Sequence, residues 1–356
     1  MLKDVLESLT IEGVLFERLP GARVRCLACG HRCLIPPGRA GVCKVRLNRE
    51  GRLRVPSGYV ATGLQLDPIE KKPFFHVRPG AVTLSFGMLG CDYHCGYCQN
   101  WITSQVLRDA EAAARPARVS AAEIVAAAVR AGAPVITSTY NEPLITSEWA
   151  VQVFKLAKAQ GLQTAFVSNG NATPEVLDYL QPWLDFYKVD LKGFDDRTYR
   201  RLGGTLQCVL ETIRRLVQRG FWVEVVTLLV PGLNDSDAEL TELTRFLASV
   251  SPDLPWHVTA FHPDYRMADG DRTSMAALLR AAEIGQRQGL RFVYAGNVPG
   301  QACSLENTYC PGCRGLLVER VGFRVQRVGL TAGGDCPSCG RGIPGRWGGV
   351  GDQAAD

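Results

Sequence analysis

The sequence predicts an α/β protein: a partial (β/α) barrel of about six to seven parallel strands over residues 76–300, preceded by a small four-cysteine module in 1–75 and followed by a zinc-ribbon-like module in 301–356. Three observations predict it. Apolar β-prone runs alternate with longer helical patterns through the middle of the chain, which implies repeated β-α units and a parallel sheet. Cysteines gather in short Cys-x2-Cys and Cys-x3-Cys steps near the ends of the chain, the spacing of metal ligands rather than of long-range disulfides. A length of 356 residues is too great for one small core and suits one barrel-sized domain plus small modules. An open doubly wound sheet is the structural alternative.

The first module carries Cys26-x2-Cys29-x3-Cys33-x9-Cys43 among Gly, Pro and Arg, with little helical periodicity. It reads as loop-rich and too small to be stable without a metal. Four thiolates satisfy either zinc or a second iron-sulfur cluster, and zinc is favoured. His31, between the ligands, reads as a neighbour rather than a ligand. Strands follow at Ala81 to Phe86, Pro134 to Ser138, Thr164 to Val167, Phe186 to Val189, Trp222 to Leu228, Trp256 to Phe261 and Arg291 to Tyr294. A helix is expected over Ser120 to Ala131, with Glu123 near its start and Gly132 after its end. In the tail, Cys310-Pro311-Gly312-Cys313 and Cys336-Pro337-Ser338-Cys339 are joined by alternating segments such as Gly322 to Val328, the pattern of a zinc ribbon. Cys208 and Cys303 stand outside these clusters, and a buried inert thiol is the default for Cys208.

Composition narrows the function classes. No long uncharged apolar run appears and the N-terminus lacks an apolar signal segment, so a cytoplasmic protein without a membrane span is expected. The formal charge of +5 invites a nucleic-acid partner. Two four-thiolate zinc sites at about −2 each and a three-thiolate cluster at about −1 would bring the metal-loaded protein near neutral, which does not favour that partner.

The chemistry concentrates in Cys91-Asp92-Tyr93-His94-Cys95-Gly96-Tyr97-Cys98, directly after the first barrel strand. Three cysteines cannot saturate a cluster of four irons, so one iron is left for a ligand that is not protein. A zinc site there would need His94 as its fourth ligand. Polar groups recur at successive strand ends, the face on which barrels assemble their chemistry. Glu142, in Tyr140-Asn141-Glu142-Pro143, is an acceptor for a cationic amine or an exposed loop carboxylate. Ser168 and Asn169 suit a turn or ribose hydroxyls. Lys188, Asp190 and Lys192 share one strand face, as a salt bridge or as catalytic groups. His262 beside Pro263 and Asn297 after the last strand complete the candidates.

In that order the chain resembles the radical S-adenosylmethionine (SAM) superfamily, whose signature is Cys-x3-Cys-x-aromatic-Cys with Tyr97 at the aromatic place. It is similar within it to glycyl-radical-enzyme activases such as pyruvate formate-lyase activating enzyme. The closest resemblance, over nearly the whole chain, is to the AmmeMemoRadiSam-system radical SAM proteins, carried by the four-cysteine module, Cys95-Gly96-Tyr97-Cys98-Gln99-Asn100-Trp101 and the ribbon ending Cys339 to Gly345. The resemblance implies a [4Fe-4S] cluster on Cys91, Cys95 and Cys98, SAM on the open iron, and reductive cleavage of SAM to methionine and a 5′-deoxyadenosyl radical. It implies that Glu142 takes the SAM amino group where activases show a Gly-Gly-Glu-like motif, and that Tyr97, Ser168, Asn169 and Asn297 are further cofactor contacts. Asp190, Lys192 and His262 then face the substrate. A flavodoxin or ferredoxin is the implied reductant, and a protein substrate, with a Memo-like protein as candidate partner, is the first choice. A small-molecule or cofactor-tailoring reaction is the enzymatic alternative, and a zinc-ribbon binding or assembly factor with a structural cluster is the other.

Overall fold

The computed structural model describes residues 2–61 and 63–348, and its centre is one eight-stranded sheet. The parallel strands, in chain order, are β1 Val82–Phe86, β2 Val135–Ser138, β3 Gln163–Ser168, β4 Phe186–Asp190, β5 Trp222–Leu229, β6 Trp256–Ala260 and β7 Val293–Gly296. Their order in space follows the chain without reversal. A doubly wound sheet reverses at a switch point; one-way order with crossovers of constant hand keeps the helices on one face and curls the sheet into a partial barrel. A short strand, Gln65–Pro68, adds antiparallel to β1. That strand lies before residue 75, so the first module is continuous with the barrel sheet.

Helices α1 Ala121–Arg130, α2 Ser147–Ala159, α3 Pro174–Leu180, α4 Asp196–Leu202, α5 Leu206–Gln218, α6 Asp237–Val250 and α7 Met275–Arg287 connect the strands. Local chemistry sets their ends. At α1 the Glu123 N–H donates to Ser120 Oγ at 3.2 Å and the Ser120 N–H donates to Glu123 Oε2 at 2.7 Å, a closed capping box. Strand alternation sorts the two faces. Leu84, Phe86, Phe166 and Tyr187 join Phe154 of α2 in the main core, whereas Thr83 and Thr137 pair their hydroxyls at 2.8 Å on the other face.

The two flanking modules close opposite parts of the barrel. At the N-terminal ends of the strands, the backbone N–H groups of Phe75 and His76 donate to Glu224 of β5, each at 2.9 Å. His76 is held by Pro344 O and the Tyr294 hydroxyl, both at 2.6 Å. Burial pushes its pKa down to about 4, so the ring is neutral and bridges the tail to β7. The tail itself is a three-stranded antiparallel sheet, Thr308–Tyr309, Leu316–Val321 and Arg324–Val328. The N-terminal region contains a helix, Leu2–Ser8, and two three-stranded antiparallel sheets, so it has more regular structure than its Gly-Pro-Arg composition predicts.

Arg46 clamps that region to the barrel. Its guanidinium bonds Glu148 of α2 through both nitrogens, at 2.7 and 2.8 Å, and also donates to Ile145 O at 3.1 Å. The two side chains are 1% and 3% exposed. Removing one partner of such a pair strands a buried charge, so Arg46→Ala is expected to cost about 3–5 kcal/mol, read as a large fall in the thermal midpoint. A shift no larger than that of a surface substitution would contradict the clamp.

Among the described residues, no helix is long and apolar enough to cross a membrane.

Candidate active site

The cysteine loop leaves β1 through Gly87, where a Cβ would lie 2.6 Å from Thr139 O and 2.9 Å from the Tyr140 Cβ. Only glycine lets the two strand ends approach this closely. Further along, Gly90 takes φ +91° and packs against the Cys43 carbonyl. The loop is then fixed by the His94 N–H to Leu202 O at 2.9 Å and by Gln105 Nε2 to Tyr93 O at 3.1 Å.

Cys91, Cys95 and Cys98 line one cavity together with Tyr140, Glu142, Ser168, Asn169, Asp190 and Lys192. Residues from three strand ends and the loop thus share one mouth. Burial raises all three thiols, Cys95 to about 12, so without a cation they are poor thiolates. Their surroundings nonetheless favour charged sulfur: the Tyr93 N–H donates to Cys91 Sγ at 3.4 Å, Ser104 Oγ lies 3.2 Å from Cys98 Sγ, and Lys192 lowers Cys95 and Cys98. That donor set fits a metal cluster, whose own charge completes deprotonation.

Glu142 is buried in the wall. Its Oε1 accepts from Ser168 Oγ at 2.7 Å and the Leu144 N–H at 3.0 Å, and its Oε2 from the Asn169 N–H at 2.7 Å. Burial, and then the negative charge of Asp92, push its pKa up to about 8. Asp92 accepts from Asn169 Nδ2 at 2.7 Å and Asn171 Nδ2 at 2.8 Å. Two buried carboxylates near each other without a full counter-charge make a site that gains from an incoming cation. On the opposite wall Asp190 bonds Lys188 Nζ and, at 3.3 Å, Lys192 Nζ. Burial opposes the Asp190 charge, but the two lysines hold the pKa below the usual carboxylate range.

Tyr140 lies between the end of β2 and Glu142. Its φ of +70° lies in the left-handed region, which costs an aromatic residue roughly 1–2 kcal/mol. The phenol offsets this by accepting from Lys72 Nζ at 3.0 Å and donating to Asp67 Oδ2 at 3.1 Å, and Gly87 supplies the space beside it.

The other expected contacts lie off the cavity. Tyr97 is buried in the main core. His262 is exposed and meets Gln99 Nε2 at 2.9 Å, on the outside of the cysteine loop. Asn297, at φ +61°, turns back to donate to Ala260 O at 3.0 Å. Asp92 was not among the expected site residues; its signal is an acidic side chain between thiolates, a placement that needs dedicated donors.

The four cysteines of the first module lie near this site, but among the described residues their sulfurs do not gather into one close ligand group as the tail's do. Cys29 is raised well above the usual thiol range by burial, then by Asp92, Cys26, Cys43 and Cys33. Gly30 N–H donates to Asn171 O at 2.8 Å, which places the module directly behind the Asp92 bonds. In the tail, Cys310, Cys313, Cys336 and Cys339 hold their Sγ atoms within 4.8 Å of one another.

A partial barrel with three thiols and a buried carboxylate around one cavity at its strand ends defines an α/β-barrel protein with a metal-competent site. Residues 87–246 match the model of the Radical SAM superfamily. An uncharacterized protein of Methanocaldococcus jannaschii is 36% identical over 334 residues, 93% of this chain and 98% of that protein. The pyruvate formate-lyase-activating enzyme of Staphylococcus epidermidis is 27% identical over 187 residues, 49% of this chain and 74% of the relative. A radical SAM methyltransferase from Sphaerobacter thermophilus superposes with a TM-score of 0.48 at 21% identity, covering 62% of this chain and 67% of that one. The chain belongs to the radical SAM superfamily, iron-sulfur enzymes that use SAM.

Proposed function

We propose that this chain is an activase-like radical SAM enzyme that takes a hydrogen atom from a protein substrate. The observation that carries the reading is the shared cavity: the three thiols, Glu142, Ser168, Asn169 and Asp190 face one space. Cys91, Cys95 and Cys98 would hold a [4Fe-4S] cluster, Glu142 the SAM amino group, and Ser168 and Asn169 the ribose. Bound there, cluster and SAM would supply one-electron reductive chemistry, the electron coming from an external reductant. The protein's own part is to orient and enclose. Asp190 and Lys192 position the substrate backbone with one charge of each sign, while the Tyr140 ring walls off Lys72 and Asp67. The names of the activase relatives support a polypeptide substrate, and a Memo-like protein is the first candidate to test.

Zinc is the proposed occupant of the tail. The Cys310–Cys339 and Cys313–Cys336 sulfur separations are 3.6 and 3.5 Å, near the roughly 3.8 Å edge of a tetrahedron with 2.3 Å zinc–sulfur bonds. Cys26, Cys29, Cys33 and Cys43 are proposed as a second metal site, for zinc or an iron-sulfur cluster.

The deciding experiment is anaerobic reconstitution with metal counting, followed by reduction in the presence of SAM and a candidate protein deuterated in its backbone. Deuterium is expected in the deoxyadenosine. Deuterium uptake from a small-molecule candidate and none from protein would overturn the protein-substrate reading.

A further inference from the structure

Asp92 directly follows Cys91 and is 2% exposed, yet it does not line the cavity. Each of its carboxylate oxygens faces a different side-chain amide: Oδ1 accepts from Asn169 Nδ2 at 2.7 Å, and Oδ2 from Asn171 Nδ2 at 2.8 Å. His31 Nε2 stands 4.0 Å from Oδ2, beyond hydrogen-bond reach. A carboxylate offers an acceptor on both sides, whereas an asparagine amide would set donor against donor on one of them, whichever way it turned. An acid is therefore the side chain that can hold both amides at once.

Those two amides belong to the loop after β3, which also carries the SAM contacts proposed above. Asn169 is committed at three points: its N–H donates to Glu142 Oε2 at 2.7 Å, its Nδ2 donates to Asp92, and its Oδ1 accepts from the Asn171 N–H at 2.9 Å. Ser168 Oγ donates to the other Glu142 oxygen at 2.7 Å. The four-cysteine module holds the same loop from behind. The Gly30 N–H donates to Asn171 O at 2.8 Å, Thr173 Oγ1 donates to Leu27 O, and Arg32 Nη2 donates to both Glu175 oxygens, at 2.8 and 2.6 Å. Gly30 permits this approach, since a Cβ there would lie 2.4 Å from Asn171 Oδ1. A fixed backing and a two-pronged tie thus leave the loop little freedom to shift relative to Cys91.

We infer that Asp92 is a positioning residue for SAM cleavage: it fixes the loop that holds the amine and ribose at a set distance from the peptide that carries Cys91. This role rests on the cluster and SAM assignments above. Asp92 acts through Asn169 and Asn171 rather than by meeting SAM, since it lies outside the cavity. Placement is where such a tie has leverage, because a displacement on the order of 1 Å at reacting atoms can cost about 100-fold in rate.

The test uses full-length, cluster-loaded protein and reads iron content, SAM affinity by equilibrium dialysis, and the dithionite-driven deoxyadenosine rate per iron at saturating SAM. Asp92→Asn sets donor against donor, and Asn171→Asp sets carboxylate against carboxylate. Each is expected to keep its iron and to lose ~10-fold or more in affinity and in the saturated rate. The double variant Asp92→Asn, Asn171→Asp restores a donor facing an acceptor at unchanged net charge, and should recover both readouts to within about threefold of wild type. A role confined to chain stability would lower the thermal midpoint and leave the saturated rate per iron unchanged. Asn171→Ala decides even where a swap variant loses iron. It keeps the Asp92 charge and every cavity residue, so the ~3–10-fold loss of affinity expected of it must pass through Asp92. Wild-type affinity and rate per iron in Asn171→Ala would overturn the role, as would a double variant no better than its parents. Wild type that keeps its iron but binds no SAM would instead remove the SAM assignments, and this role with them.

Discussion

Replacing Cys91 with alanine is expected to remove the cluster iron and abolish deoxyadenosine formation while leaving the barrel folded. The thiol sits where burial, and then Asp92 and Glu142, all oppose its ionisation. A thiolate in that position exists only with a metal's charge against it. Without it, Cys95 and Cys98 are the loop's remaining ligands, and two thiolates do not retain a four-iron cluster. The polypeptide loses little. The loop stays fixed by Asn169 Nδ2 to Asp92, the His94 N–H to Leu202 O and Gln105 Nε2 to Tyr93 O, and the lost sulfur takes with it the 3.4 Å Tyr93 N–H contact and a long 3.8 Å contact to Asp92 Oδ1. Circular dichroism of the metal-free variant should overlay that of metal-free wild type. Iron analysis and the visible absorbance of the reconstituted protein then report the site alone. Cys208→Ala is the matched control, because that thiol packs at 3.5 Å from Ala172 O, outside the cavity, and should keep full iron. Turnover by an iron-free Cys91→Ala protein would remove the cluster assignment.

The barrel was legible in the sequence because its strands are buried on both faces and read as short continuous apolar runs. Phe186, Tyr187 and Val189, at 1%, 0% and 0% exposure, are an example. The edge strand Gln65–Pro68 was not legible, since three of its four residues are exposed and it carries no alternating pattern. The same division runs through the site. Glu142, Ser168, Asn169, Asp190 and Lys192 were placed by order alone, because each ends a strand and strand ends converge on one face in a barrel. His262 and Asn297 also follow strands, yet the first lies against Gln99 and the second against Ala260. Where a loop leads after its strand depends on contacts distant in sequence, and those were not readable. The Tyr140 conformation depends likewise on Gly87, Lys72 and Asp67, more than fifty residues away. Asp92 was hidden by its setting: only Asn169 and Asn171, from β3's loop, explain an acid among thiolates.

Glu142→Gln is expected to weaken SAM binding by an amount that grows as pH rises toward about 8. In the free protein burial and Asp92 raise this carboxyl to about 8, so near pH 7 it is mostly protonated and must release its proton to pair with a cationic amine. Wild-type affinity should therefore rise by up to tenfold per unit as pH climbs toward 8, and fall again above it as the ligand's own α-amino group, ordinarily titrating at about 8, loses its charge. The sign follows from the direction of the shift: SAM binds the deprotonated form, and its positive charge lowers the pKa in the complex. Glutamine is a fixed copy of the neutral form, so the variant's affinity should be flat across the same range. The gap is small at pH 6 and largest near pH 8, where it reaches roughly 10–100-fold, the worth of a buried charge-assisted hydrogen bond. Part of the loss has a second source. One glutamine oxygen is replaced by an NH2 that cannot accept from Ser168 Oγ and Leu144, or from the Asn169 N–H, depending on its orientation. That penalty is independent of pH, which separates it from the loss of charge. Equilibrium dialysis of SAM against anaerobic, cluster-loaded protein at several pH values distinguishes the two. A wild-type curve flat from pH 6 to 8.5 would show that Glu142 does not take the amine.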